Sequence, residues 1–102
     1  MEVLSNRITP EKLLMAANML RVIAHPVRLS IVDALHQNGR MSVLEIQETL
    51  GIEQPIASQH LILMQDKGVL ISEKIGRNRF FSLHHPDMFN IVLCLEGCCD
   101  KL

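Results

Sequence analysis

Apolar residues recur along this chain at two spacings, and the change from one to the other divides it. Between Pro10 and Ile23 the positions Leu13, Leu14, Ala16, Ala17, Met19, Leu20, Val22 and Ile23 are apolar, a helical pattern. Thr9, Pro10 and Glu11 supply a capping hydroxyl, a proline at the first helical position and a first-turn acid, so a helix is predicted over 10–23. Its apolar residues cover more than the one stripe needed to pack on a small core, and the surplus predicts a partner surface. His25-Pro26 interrupts the run, because the residue before proline is pushed out of the helical region. Pro26 then suits the first turn of a second helix reaching about His36, with Val27, Ile31, Ala34 and Leu35 inward, His36 a charge near its end and Asn38-Gly39 as a left-handed stop. Ser42 and Glu45, three apart, form a capping box that opens a third, short helix with Val43, Ile46 and Leu50 inward, ended by Gly51.

From Gly51 to Gly68 the sequence reads GIEQPIASQHLILMQDKG. Polar Ser58, Gln59 and His60 run into apolar Leu61, Ile62 and Met64, so this helix presents hydrogen-bonding groups early and anchors itself by its later turns, as a DNA-recognition helix does. The spacing then changes. Val69 to Ile75 and Arg79 to Leu83 are rich in β-branched and aromatic residues around a turn-forming Gly76-Arg77-Asn78, which predicts a β-hairpin with a charged tip. His85-Pro86-Asp87 breaks the second strand. Helical spacing resumes from Met88 to Cys99, again with more apolar residues than one face requires.

At 102 residues the chain supports one domain over 1–102, with no repeat or linker to divide it. With 48% hydrophobic and 21% charged residues it is too apolar to be disordered. No apolar run approaches the roughly 20 residues that span a bilayer, so no membrane association is expected. The first residues lack an export signal, which makes the cytoplasm the expected location. Net charge is −1, which by itself argues against a phosphate-binding surface. Its distribution reverses that inference: Lys67, Lys74, Arg77 and Arg79 face only Glu73 between Lys67 and Arg79, whereas the last part of the chain is acidic. The positive charge sits on the hairpin, where it can hold a DNA backbone.

Three helices, a recognition helix, a hairpin and a terminal helix make a mostly α winged helix-turn-helix. The chain resembles the arsenical-resistance and metal-responsive (ArsR/SmtB) repressors over nearly its whole length. The residues that carry the resemblance are His25-Pro26-Val27-Arg28, Gln54-Pro55-Ile56-Ala57-Ser58-Gln59-His60-Leu61, Gly68-Val69-Leu70 and Gly76-Arg77. The resemblance implies a homodimer joined through its first and last helices, bound to palindromic double-stranded operator DNA and released by an inducer.

Gln54, Pro55, Ser58, Gln59 and His60 form the expected DNA-reading segment. Gln59 leads as base reader, since an amide can pair bidentately with adenine in the major groove. Lys74, Arg77, Asn78 and Arg79 are expected on phosphates or in a neighbouring minor groove. Arg28 either assists or braces the second helix. The plainer alternative is that Ser58 and Gln59 solvate a surface helix and the tip residues are ordinary turn formers.

The releasing signal leaves more room. Relatives with a Cys-Val-Cys thiolate site on the third helix differ from this chain, which has Ser42-Val43-Leu44-Glu45 there. Other relatives carry Asp-x-His and His-x-x-Glu on the last helix, a spacing that His84-His85-Pro86-Asp87 and Glu96-Gly97-Cys98-Cys99-Asp100 do not reproduce. Cys94 and Cys98, four apart, share a helical face and are compatible with a soft metal ion or, after rearrangement, a redox bond; Cys99 points elsewhere. His84, His85 or Asp87 of a second protomer could complete a mixed coordination sphere. The alternative is structural: Cys94 as a small buried hydrophobe, Cys98 and Cys99 as loose terminal thiols. An enzyme is not expected, for no nucleophile motif or glycine-rich phosphate loop is present. A winged-helix protein-interaction module without DNA is the competing class, weakened by the absence of Trp and Tyr as anchors.

Overall fold

The computed structural model describes residues 2–101. A short helical turn, α1 (Leu4–Arg7), precedes α2 (Pro10–Ile23), α3 (Pro26–Asn38), a two-residue strand β1 (Met41–Ser42), α4 (Val43–Leu50), α5 (Gln54–Asp66), β2 (Leu70–Ile75), β3 (Asn78–Leu83), a 3-10 turn (Pro86–Met88) and α6 (Phe89–Cys99). The helix starts lie where the capping signals put them. Thr9 accepts the Lys12 N–H at 3.2 Å, and the Ser42–Glu45 box is closed in both directions, at 3.2 and 3.0 Å. His25 caps α3 by a route the sequence did not signal, its Nδ1 accepting the Val27 N–H at 3.1 Å.

The core lies between α3, α4, α5 and the base of the hairpin. Ile31, Val32, Ala34 and Leu35 of α3 meet Ile46 of α4, Leu61 and Met64 of α5, and Val69, Leu70 and Phe81 of the hairpin, with Val22 and Ile23 closing the edge from α2. Burying a side chain such as Leu61 or Ile46 contributes about 1.5–3 kcal/mol.

The sheet is antiparallel in the order β1-β3-β2. Ile75 stands opposite Asn78, so the hairpin turns on Gly76 and Arg77 alone, and Gly76 holds φ at 64° as the first residue of that two-residue turn. Asn78, expected in the turn, is the first residue of β3. β1 went unforeseen because two residues are too short to show an alternation; it forms where Met41 pairs with Phe81.

α2 and α6 differ from the other long helices. α2 is buried only at Val22 and Ile23, and α6 has no buried residue. α6 lies against α3, where the His36 ring stacks on Phe89 with centroids 3.6 Å apart and planes within 5°. His36 is therefore a packing residue of the α3–α6 contact.

Candidate nucleic-acid interface

α4 and α5 form the helix-turn-helix. Gly51 links them in a left-handed conformation, φ 66° and ψ 37°, while its N–H caps α4 on the Gln47 carbonyl. α5 is seated by Ala57, Leu61 and Met64, all fully buried and spaced to fall on one face. That seating turns Gln54, Pro55 and Gln59 to solvent, with Ser58 half-exposed beside them. Gln54 Nε2 donates to Ser58 Oγ at 2.7 Å, which holds both side chains in place and leaves the Gln54 carbonyl oxygen free to accept. No described residue hydrogen-bonds the Gln59 amide, whose donor and acceptor both face solvent.

His60 departs from the expected set. Its ring is half-buried and turned towards α3, where Nδ1 accepts from Arg28 Nε at 3.2 Å, and its centroid lies 4.7 Å from that of His25. Burial, with His25 and Arg28 beside it, holds the His60 imidazole below its ordinary value of 6.5. The sequence held a signal for this: His60 falls three residues after Ala57 and four before Met64, on the anchoring face.

The hairpin stands beside α5. Arg77 is exposed at its tip, and Lys74 lies opposite Arg79. Arg79 is not free in the way Arg77 is. Its Nη1 donates to Ser72 Oγ at 2.9 Å, and the Ser72 hydroxyl donates to the Gln65 side-chain oxygen in the last turn of α5. Gln65 and Ser72 were missed because neither carries charge and they meet only when the hairpin folds back on α5. Glu73, the acid within the basic stretch, pairs with Arg40 at 3.8 Å, an exposed contact worth little in stability but one that offsets its charge near the wing.

Cys94, Cys98 and Cys99 are free and exposed on α6, so the reading of Cys94 as a buried hydrophobe does not hold within one chain. Among the described residues no group of three or more His, Cys, Asp or Glu side chains is placed to hold a metal ion. His84 Nδ1 donates to the Gly68 carbonyl at 3.1 Å and its ring stacks on His85, which ties it to the root of the hairpin.

This is the architecture of a winged helix-turn-helix protein, and comparison with known proteins narrows the class. Residues 23–73 match the family described as "Helix-turn-helix domain". The SmtB repressor of Mycobacterium tuberculosis is 38% identical over 85 residues, covering 82% of this chain. The repressor PagR of Bacillus anthracis is 34% identical over 80 residues, covering 78% of this chain and 80% of that protein. The PagR crystal structure superposes with a TM-score of 0.76 at 33% identity, covering 83% of this chain and 97% of that one. The repressor BigR of Xylella fastidiosa superposes at 0.75 and 30% identity, covering 86% and 89%. The chain belongs to the ArsR/SmtB family of winged helix-turn-helix regulators. It spans 62% of the length of the mycobacterial SmtB protein it matches.

Proposed function

We propose that this chain is a homodimeric, sequence-specific transcriptional repressor that reads operator DNA with α5 and grips the flanking backbone with its hairpin. The observation that carries this is the division of α5 into a buried anchoring face and an exposed polar face, with a basic hairpin tied beside it. Gln59 reads base edges, with Gln54, Pro55 and Ser58 alongside; Lys74, Arg77, Asn78 and Arg79 serve the backbone or minor groove. His60 supports α5 from behind. SmtB, PagR and BigR are named as repressors, which supports repression as the outcome of binding.

Dimerisation is proposed through α2 and α6. Leu14, Met15 and Leu20 of α2 and Leu93 and Leu95 of α6 are exposed apolar side chains, and Ala16, Met19, Leu20, Met88 and Ile91 line an apolar groove between the two helices. A second copy covering this face would remove it from water and double the basic surface offered to DNA. The grouping of three free thiols on one helix supports α6 as the place where an oxidant or a soft metal ion would act. Loss of that response in Cys94→Ser and Cys98→Ser proteins is the check.

Enrichment of bound duplexes from a random pool, followed by hydroxyl-radical footprinting, tests the reading. An inverted repeat with two protected patches centred about one helical turn apart, roughly 34–36 Å, is expected. No enriched motif would contradict it and return the protein-interaction alternative.

A further inference from the structure

We propose that Arg28 is a positioning residue for DNA reading: it bridges the end of α2 to the middle of α5 and so fixes the recognition helix relative to the helix that carries the dimer face. The inference rests on the DNA-binding reading above. Arg28 lies in the first turn of α3. Its Nη1 donates to the Val22 carbonyl at 2.6 Å, one of the orphan acceptors at the end of α2, and its Nε donates to His60 Nδ1 at 3.2 Å. The two acceptors belong to helices far apart in sequence, and one planar guanidinium fixes the direction of both bonds. A lysine ammonium at this position is a point charge without that fork.

His25 completes the junction. Its Nδ1 caps α3 at 3.1 Å while its ring packs against that of His60. His60 accepts through Nδ1, so that nitrogen carries no proton while the Arg28 bond is made. A proton added to His60 Nδ1 removes the acceptor for Arg28 and places a second cation beside it. No carboxylate of the surrounding elements bonds to His60 to offset that charge. Glu45 of α4 closes its own capping box, Glu73 of β2 faces Arg40 and Asp33 of α3 faces Gln37; Glu11 of α2, Glu48 of α4 and Asp66 of α5 are exposed. Of the cations, Arg21 of α2 faces Asn18, and Lys12 of α2 and Lys74 of β2 are exposed. The bridge therefore holds at neutral pH and opens in acid.

The test compares the unaltered protein, Arg28→Lys and His60→Asn on the enriched duplex and on a scrambled duplex of equal length, by fluorescence anisotropy from pH 5.5 to 8. Arg28→Lys keeps the charge but loses the fork. Its preference for the enriched duplex is expected to fall about tenfold or more, a change of about 1.4 kcal/mol, with scrambled-duplex affinity almost unchanged. In His60→Asn the amide oxygen stands in for Nδ1 as acceptor and does not titrate. This variant should keep its preference at pH 7.5 and lose most of the acid-induced decline seen in the unaltered protein. An unchanged preference in Arg28→Lys, or an unchanged acid decline in His60→Asn, would overturn the proposal. Should Arg28→Lys fail to fold, the His60→Asn profile decides alone. If the unaltered protein enriches no duplex, the DNA-binding reading itself fails, an outcome distinct from either of these.

Discussion

Arg79 and Ser72 are diagonal neighbours on adjacent strands, joined by a 2.9 Å hydrogen bond, and Ser72 passes the connection to Gln65 at the end of the recognition helix. The wing is thus hydrogen-bonded to α5, in addition to sharing a core with it. Arg77, two residues away, has no such tie and projects from the tip.

The two arginines should therefore differ when replaced. Arg77→Ala takes one cation off the DNA backbone per protomer and is expected to weaken binding to all duplexes alike, lowering the salt slope by about 1 for each phosphate no longer neutralised. Arg79→Ala also removes the donor to Ser72 Oγ that helps orient this hydroxyl toward Gln65, so it should lower the preference for the enriched duplex as well as the overall affinity. Salt titrations on enriched and scrambled duplexes separate the two behaviours; identical profiles would show that the Ser72 link has no bearing on reading.

Ser42→Ala opens the capping box of α4 and strands the N–H of Glu45. Loss of a cap of this kind costs about 1 kcal/mol, within a range of about 0.5–2. Urea unfolding should show a lower midpoint with an unchanged slope. DNA preference should persist at temperatures where the variant stays folded, since Ser42 faces the core and not the reading surface.

Leu20→Glu places a charge on the exposed apolar face of α2 without disturbing the core. Analytical ultracentrifugation should find a folded monomer where the unaltered protein is a dimer, and footprinting should show the loss of the paired protection. A dimer of unchanged stability would place the interface elsewhere.

Stability should depend on pH through His60. Its folded-state value lies below the ordinary 6.5, so between those two values the unfolded chain binds the proton more readily than the native one. The contribution is therefore present in full above about pH 6.5 and is lost as the pH falls from there through the lower, folded-state value. His60→Asn should flatten this part of the stability profile measured by urea unfolding.

What the sequence disclosed follows from how local each signal is. Thr9-Pro10, Ser42 with Glu45, Gly51 and Gly76 act on their immediate neighbours, and each marks a boundary found in the fold. Apolar spacing located α2 to α6 and the two hairpin strands within a few residues. α1 escaped notice because Leu4–Arg7 has no side-chain cap to announce it. The Arg28–His60 bond, the Gln65–Ser72–Arg79 chain and the His36–Phe89 stack join residues that meet only after folding, so no local pattern signals them. Residue type and the adjacent Gln59 draw His60 into the DNA-reading set, although its spacing from Ala57 and Met64 places it on the seated face. The exposed thiols of α6 show the same limit in reverse: apolar neighbours in sequence suggest burial, but no residue of α6 is buried within the chain.

The most direct measurement is the ratio of affinities for the enriched and scrambled duplexes at one fixed salt concentration, for the unaltered protein and for Gln59→Ala. A specific reader should favour the enriched duplex by about 10³ or more. Removal of the Gln59 amide should reduce that preference by about 1–3 kcal/mol for each base pair the amide reads, with little effect on the scrambled duplex. A ratio near one for the unaltered protein, or equal losses on both duplexes for Gln59→Ala, would contradict sequence reading by α5.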